Sequence, residues 1–220
     1  MAVLTWDQTG QRFYETGVSK GVLFLPDTTG AYKKGVAWNG LATVTEKPTG
    51  AESNATYADN IKYLNLVSAE EFGATIEAFT YPEEFAECDG TKAVKKGVFA
   101  GQQTRKRFAF SYQTLIGNDV DGTDKGFKIH IVYNCLASPS ERAYSTVNDN
   151  PEAISFSWDV STTPVSVTTE GVKPLSLLTI DSTKVAPADL KKLTDKLYGT
   201  ATEEPSLPVP DEVIKLFTTP

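Results

Sequence analysis

The run Phe127-Lys128-Ile129-His130-Ile131-Val132-Tyr133 decides the fold class. In an extended chain successive side chains point to opposite faces. Phe127, Ile129, Ile131 and Tyr133 therefore share one face, and Lys128 and His130 lie on the other. Comparable runs of Thr, Val, Ile, Phe and Tyr occur at 14–25, 36–46, 75–81, 106–116, 153–160 and 165–170. Turn signals such as Asp89-Gly90 and Asp121-Gly122 separate them, which is the pattern of an antiparallel sandwich or barrel. Strands and helices do not alternate along the chain, so a parallel α/β sheet is not expected.

Two stretches read as helical. Pro82-Glu83-Glu84-Phe85-Ala86-Glu87-Cys88 has Pro at the first position, Glu in the first turn and Gly90 soon after, which predicts one or two turns. Residues 186–198 place Leu190, Leu193 and Leu197 on one stripe, with Gly199 as a stop. Residues 200–210 carry Pro205, Pro208 and Pro210 and read as an extended linker. Residues 211–217 then predict a last helical turn able to dock through Val213, Ile214 and Phe217. The expected organisation is a β domain over 1–180 and a C-terminal helix with an extended arm over 181–220.

A chain of 220 residues and 23.9 kDa can bury roughly 70% of its unfolded surface without metals or disulfides. Its 21 Lys plus Arg against 28 Asp plus Glu give a net charge of -7. That balance excludes the dense basic footprint of a protein that reads nucleic-acid grooves. One His and two Cys leave little for a zinc site or a His-based triad. The first seven residues lack a basic segment followed by an apolar one, so no signal peptide is expected. The apolar run Val22-Leu23-Phe24-Leu25 ends at Pro26, far short of a membrane span. Cys88 and Cys135 are expected as reduced thiols. Asn54-Ala55-Thr56 matches a glycosylation acceptor, which has no meaning without secretion.

No catalytic or metal motif survives scrutiny. Setting Gly122 as the turn glycine of a calcium loop puts Gly117 and Lys128 at ligand positions, so Asp121-Gly122 reads as a hairpin turn instead. His130 reads as a half-exposed sheet residue rather than a general base. The acids Glu70, Glu71, Glu83 and Glu84 make a glycosidase pair only if their separation fits, and spacing in sequence does not set it. Phe108, Phe110 and Tyr112 alternate as the buried face of a strand rather than as a base-stacking platform. Neither an enzyme nor a cofactor is expected.

Charge order carries more information than charge content. Residues 63–91 contain no Lys or Arg but include Glu70, Glu71, Glu77, Glu83, Glu84, Glu87 and Asp89. Residues 91–118 contain no acid but include Lys92, Lys95, Lys96, Arg105, Lys106 and Arg107. Two readings fit: solvated faces folded against each other within one subunit, or a molecule with opposite sides that contacts its own copies head to tail. The polar, small-residue stretch 46–60 reads as a long loop of the functional or disordered kind. Lys33-Lys34-Gly35-Val36 recurs as Lys95-Lys96-Gly97-Val98, as either two hairpins with similar turn chemistry or an internal duplication would produce.

Several phrases together resemble a known family. They are Tyr57-Ala58-Asp59-Asn60-Ile61-Lys62-Tyr63-Leu64-Asn65-Leu66, Ala69-Glu70-Glu71-Phe72-Gly73-Ala74-Thr75-Ile76-Glu77-Ala78 and Tyr81-Pro82-Glu83-Glu84-Phe85-Ala86-Glu87-Cys88-Asp89-Gly90. Ser138-Pro139-Ser140-Glu141-Arg142 and Glu152-Ala153-Ile154-Ser155-Phe156-Ser157-Trp158 follow. Over about residues 1–198 the chain resembles the major tail (tail tube) proteins of long-tailed, non-contractile bacteriophages of Gram-positive hosts.

The resemblance implies a β-sandwich or half-barrel with a flanking helix. It implies homohexameric rings, stacked into a tube whose lumen conducts DNA without sequence-specific binding. The partners implied are further copies, a tape measure protein, a tail terminator and distal tail or baseplate proteins. Assembly would occur in the host cytoplasm, with the product residing in the virion and no membrane involved. The long loop that reaches the neighbouring ring would map to 46–60, with Lys47, Thr49, Glu52, Asn54, Tyr57 and Asp59 as contact residues. Terminal arms bridging subunits would map to 2–6 and the Pro-rich tail. A charge-complementary subunit interface would draw on Glu70, Glu71, Glu83, Glu84, Lys95, Lys96, Arg105 and Arg107. The alternative is a monomeric carbohydrate-binding or adhesion sandwich, with Trp6, Trp38 or Trp158 as the sugar platform.

Overall fold

The computed structural model describes residues 3–147, 149 and 152–217. In chain order the strands are β1 (Tyr14–Leu25), β2 (Lys34–Trp38), β3 (Leu41–Glu46), β4 (Thr49–Gly50), β5 (Ser53–Ala58), β6 (Ile61–Val67), β7 (Glu70–Glu71) and β8 (Gly73–Ala78). A 3-10 helix (Glu83–Glu87) follows. Then come β9 (Lys92–Lys95), β10 (Val98–Ala100), β11 (Phe108–Asn118), β12 (Gly122–Ala137), β13 (Phe156–Thr162) and β14 (Leu177–Asp181). Helices α1 (Pro187–Tyr198) and α2 (Pro210–Leu216) close the chain.

The β11–β12 hairpin is the spine. Its turn is held by Asn118, whose Oδ1 accepts from the Val120 amide at 3.1 Å and whose Nδ2 donates to Asp121 Oδ2 at 3.1 Å. The Asp121-Gly122 hairpin turn is thus present. β1 pairs with β11 along most of its length, and β2 adds to β1 at residues 21–25 only. β12 serves two neighbours on its far side, β14 at 128–132 and β13 at 135–137. β8 joins β13 and β3 joins β8, giving the order β2-β1-β11-β12-β13-β8-β3 with every pairing antiparallel. Only Asn39-Gly40 separates β2 from β3, yet these two strands are the ends of that path. The sheet must therefore curl until its ends meet. The protein is a mainly β, antiparallel half-barrel with two helices.

Alternation along the strands fills two cores. Inside the curl lie Leu23, Trp38, Ile76, Phe85, Phe108, Phe110, Val132, Trp158 and Val160. Trp38 and Trp158 meet edge to face at 5.6 Å between ring centroids, a geometry aromatic quadrupoles favour. On the opposite face Val22, Phe24, Ile129, Ile131 and Tyr133 pack against Leu193 and Leu197 of α1 and Val213 of α2. Each such buried aliphatic side chain contributes about 1.5–3 kcal/mol. The expected strand face of Phe127, Ile129, Ile131 and Tyr133 is the one the helices cover, and the stripe of Phe108, Phe110 and Tyr112 is buried in the first core.

The linker between the helices is tied to the edge of β2. The Gly35 amide donates to Pro205 O at 2.7 Å, and the Leu207 amide to Tyr32 O at 2.9 Å. Tyr133 Oη donates to Pro208 O at 3.0 Å. Covering an edge strand in this way blocks unwanted pairing.

Three expectations change. Residues 165–170 form no strand beyond a single bridge between Val165 and Leu175. The amides of Thr168 and Thr169 donate instead to the Asp211 carboxylate at the start of α2, so no ladder forms. Residues 46–60 are not a loop but contain β4 and β5. The two Lys-Lys-Gly-Val phrases also differ: Gly35 lies within β2, whereas Gly97 turns the β9–β10 hairpin with φ +75°. They are not equivalent hairpin turns.

Candidate assembly surfaces

Residues 46–71 form an arm in two parts. A stem pairs β4 with β7, setting Thr49 opposite Glu71 and Gly50 opposite Glu70. Beyond it, β5 and β6 make a hairpin whose turn residues Asp59 and Asn60 both have positive φ, 51° and 63°. Asp and Asn tolerate that conformation, and such turns match the twist of paired strands. Between stem and hairpin the chain bends at Gly50, φ +82°, where a Cβ would collide with the Ala69 carbonyl oxygen.

Among the described residues the β5–β6 hairpin belongs to no other sheet. Ser53 Oγ donates to Asn65 Oδ1 at 2.6 Å, and the Ser68 amide donates to Glu52 O at 3.1 Å. Asn54 faces Leu66 across the hairpin. Tyr57 is 70% exposed, Tyr63 66% and Leu66 61%, and Ile61 and Val67 are equally open. Water-facing apolar area of this kind marks an interaction surface. Sequence reading located the β5 residues but missed β6, although the apolar letters of Tyr63-Leu64-Asn65-Leu66-Val67 were in plain view.

The arm is rooted in a polar cluster. Tyr112 Oη donates to Glu46 Oε1 at 2.6 Å, and the same oxygen lies 3.5 Å from His130 Nδ1. The His130 ring stacks on Tyr112 at 4.6 Å, nearly parallel, and its Nε2 is 3.0 Å from Thr114 Oγ1. His130 is buried rather than half-exposed, because Tyr112 of β11 and Thr179 of β14 flank it on β12. Burial lowers its pKa below the ordinary 6.5, against the pull of Glu46. Burial, reinforced by the Glu46 hydrogen bond, raises that of Tyr112. Lys47 completes the root through its amide to Gly73 O at 2.7 Å and its ammonium to Asp159 at 3.4 Å.

The acidic and basic segments meet within the subunit where they adjoin. Asp89, nearly buried, is held by Arg105 at 3.3 Å and by Arg142. Lys106 pairs with Glu87. Arg105 also donates to Ala137 O, and Arg107 donates to Asn134 O and to Thr163 Oγ1 at 3.1 Å. Two of the expected interface cations are thus engaged inside the fold. Glu70 and Glu71 stand exposed on the arm stem, Glu83 and Glu84 on the first turn of the 3-10 helix, and Lys95 and Lys96 at the turn of the β9–β10 ribbon. That ribbon also exposes Val94, Val98 and Phe99, which sequence reading did not single out.

Of the proposed sugar platform, Trp38 and Trp158 are core residues and only Trp6 is exposed. Residue 2 of the expected N-terminal arm lies outside the described residues; Val3, Leu4 and Trp6 are exposed. A groove of about 780 Å³ runs along Tyr14, Glu15, Lys125, Lys128, Asp181 and Lys184. Its lysines are already paired with Asp121, Glu15 and Asp181. Among the described residues no cluster of His, Cys, Asp and Glu is arranged to hold a metal, and no helix is long and apolar enough to cross a membrane.

No protein-family model matches the chain, and no curated protein matches it. Among solved structures it is similar to a chain in the cryo-EM structure of the anti-feeding prophage baseplate, six-fold symmetrised, with a TM-score of 0.38 and 6% identity. The match covers 83% of this chain and 100% of the other. A likeness that slight carries no argument about function.

Proposed function

We propose that the chain is a non-enzymatic, self-assembling structural subunit of a phage tail, the major tail tube protein. The observation that carries this reading is the β5–β6 arm, a hairpin that exposes apolar side chains on a chain whose two cores are otherwise well filled. Open sheet edges support it. Residues 14–20 of β1 have β11 on one side, and β14 pairs only with β12, so β1-β11-β12-β14 ends in two unpaired edges among the described residues. Unpaired edges are a hazard in a monomer. Pairing β1 of one copy with β14 of the next removes both and closes a ring of like subunits. Stacked hexameric rings with the arm crossing from one to the next form a tube that conducts DNA, capped and measured by the terminator, tape measure and distal tail proteins. The surplus of acid suits a lumen through which DNA passes unheld.

The carbohydrate-binding alternative is weakened by the burial of Trp38 and Trp158. Sedimentation velocity of the full chain across a range of concentrations separates the two. The tube reading expects the 23.9 kDa monomer to give way to large particles as concentration rises. A monomer at every concentration that also binds a glycan would favour the sandwich module instead.

A further inference from the structure

Among the described residues three two-stranded sheets stand apart from the eight-stranded sheet: the β4–β7 stem and β5–β6 hairpin of the arm, and the β9–β10 hairpin. The β5–β6 and β9–β10 hairpins each have no third strand among the described residues, an arrangement that is marginal in water by itself. Both expose large apolar side chains, Tyr57, Tyr63 and Leu66 on one, Val94, Val98 and Phe99 on the other. Their charges are opposite. The arm and its stem carry Glu52, Asp59, Glu70 and Glu71, and of their two lysines Lys47 is engaged with Asp159. The second ribbon carries Lys92, Lys95 and Lys96 in a segment without acids, and none of the three has an ion-pair partner among the described residues.

Resting on the reading of a self-assembling subunit, we infer that the arm of one copy docks on the β9–β10 ribbon of another. Edge-to-edge pairing makes a four-stranded sheet from two marginal hairpins and satisfies the amides and carbonyls that each leaves open. The apolar side chains of the two ribbons cover one another, and the acids of the arm meet the lysines of the ribbon. The other acidic candidate, Glu83 and Glu84, sits on a single 3-10 turn with no strand edge to offer. Arm and ribbon are different surfaces, so the contact is heterologous. Every copy gives an arm and receives one, and the series closes or propagates without limit.

Charge reversal tests this directly. The ribbon variant K92E/K95E/K96E and the arm variant E52K/E70K/E71K alter exposed residues, so each is expected to melt as the parent does. In each variant arm and ribbon carry the same sign, and the concentration for half-assembly should rise by about tenfold or more. Mixed in equal amounts, the two variants present opposite charges at every contact and should co-assemble near the parent concentration. An unchanged assembly of either variant, or a mixture that fails to recover, overturns the docking while leaving a self-assembling parent intact. A parent that stays monomeric both alone and with a tail initiator complex overturns both. Carbodiimide coupling of the parent, mixed from two isotopic labels, reads the same contact without substitution. Arm carboxylates should couple to Lys92, Lys95 or Lys96 of a differently labelled copy, and coupling only to other lysines contradicts the assignment.

Discussion

At the scale of single residues, two groups carry consequences that can be measured. Asp89 sits between Arg105 and Arg142, and Arg142 also lies over the rings of Tyr81 and Phe156 at 5.6 and 5.5 Å. The carboxylate thereby fastens the segment after β12 to the 3-10 helix. Asp89→Asn removes a nearly buried charge and leaves two guanidinium groups without their partner. A loss of about 2–4 kcal/mol in unfolding free energy is expected, toward the lower side for a broken buried pair because both arginines keep some solvent. Denaturant unfolding of the variant measures it. His130 gives a pH signature. Its folded-state pKa is lowered by burial, so the unfolded chain binds a proton there more readily than the fold does. Stability should fall as pH drops through the ordinary histidine value of 6.5 toward the lower folded-state value, and level off above that range. Thermal melts of His130→Gln should show a flatter slope over the same range; an equal slope would assign the effect to other groups.

At the scale of elements, legibility followed burial. Strands with one or both faces in a core announced themselves: β1, β11 and β12 alternate as the principle of two faces requires, and α1 showed its Leu190, Leu193 and Leu197 stripe. Of the elements that sequence missed, β5, β6, β9 and β10 have no buried face, whereas β14 was missed although Ile180 is buried in the second core. β5 is small and polar because nothing covers it, so its Ser, Asn, Thr and Ala read as loop. β9 and β10 read as a charge run with stray apolar residues for the same reason. The strand expected at 165–170 failed in the opposite sense: its letters alternate, but its amides are claimed by Asp211. The candidate interface was half legible. Charge segregation was visible, but not that Arg105 turns inward to Asp89 or that Arg107 is held on the surface by Asn134 and Thr163, which depends on where those residues come to lie. The arm also behaves as a unit that can be removed. Joining Ala51 to Ala69 through a short Gly-Ser turn, in place of 52–68, deletes the β5–β6 hairpin at its natural bend. The body should keep its melting temperature to within a few degrees, since the hairpin packs on neither core, while large assemblies disappear from sedimentation profiles.

At the scale of the whole molecule, the net charge of -7 and the placement of cations fit one account. Arg105, Arg142, Lys106 and Lys47 pair within the subunit, with Asp89, Glu87 and Asp159, while Lys92, Lys95 and Lys96 place three cations without an ion-pair partner among the described residues on one ribbon. In the proposed tube, the open edges of β1 and β14 close the ring and the arm stacks one ring on the next. Such contacts are individually modest and become strong only by repetition through a symmetric assembly. Negative-stain microscopy of the purified full chain, alone and with a tail initiator complex, tests the central claim most directly. The account expects rings and stacked tubes of constant diameter, and their loss when residues 52–68 are excised. Discrete globular particles of monomer size under both conditions, with no ring or tube, would contradict it.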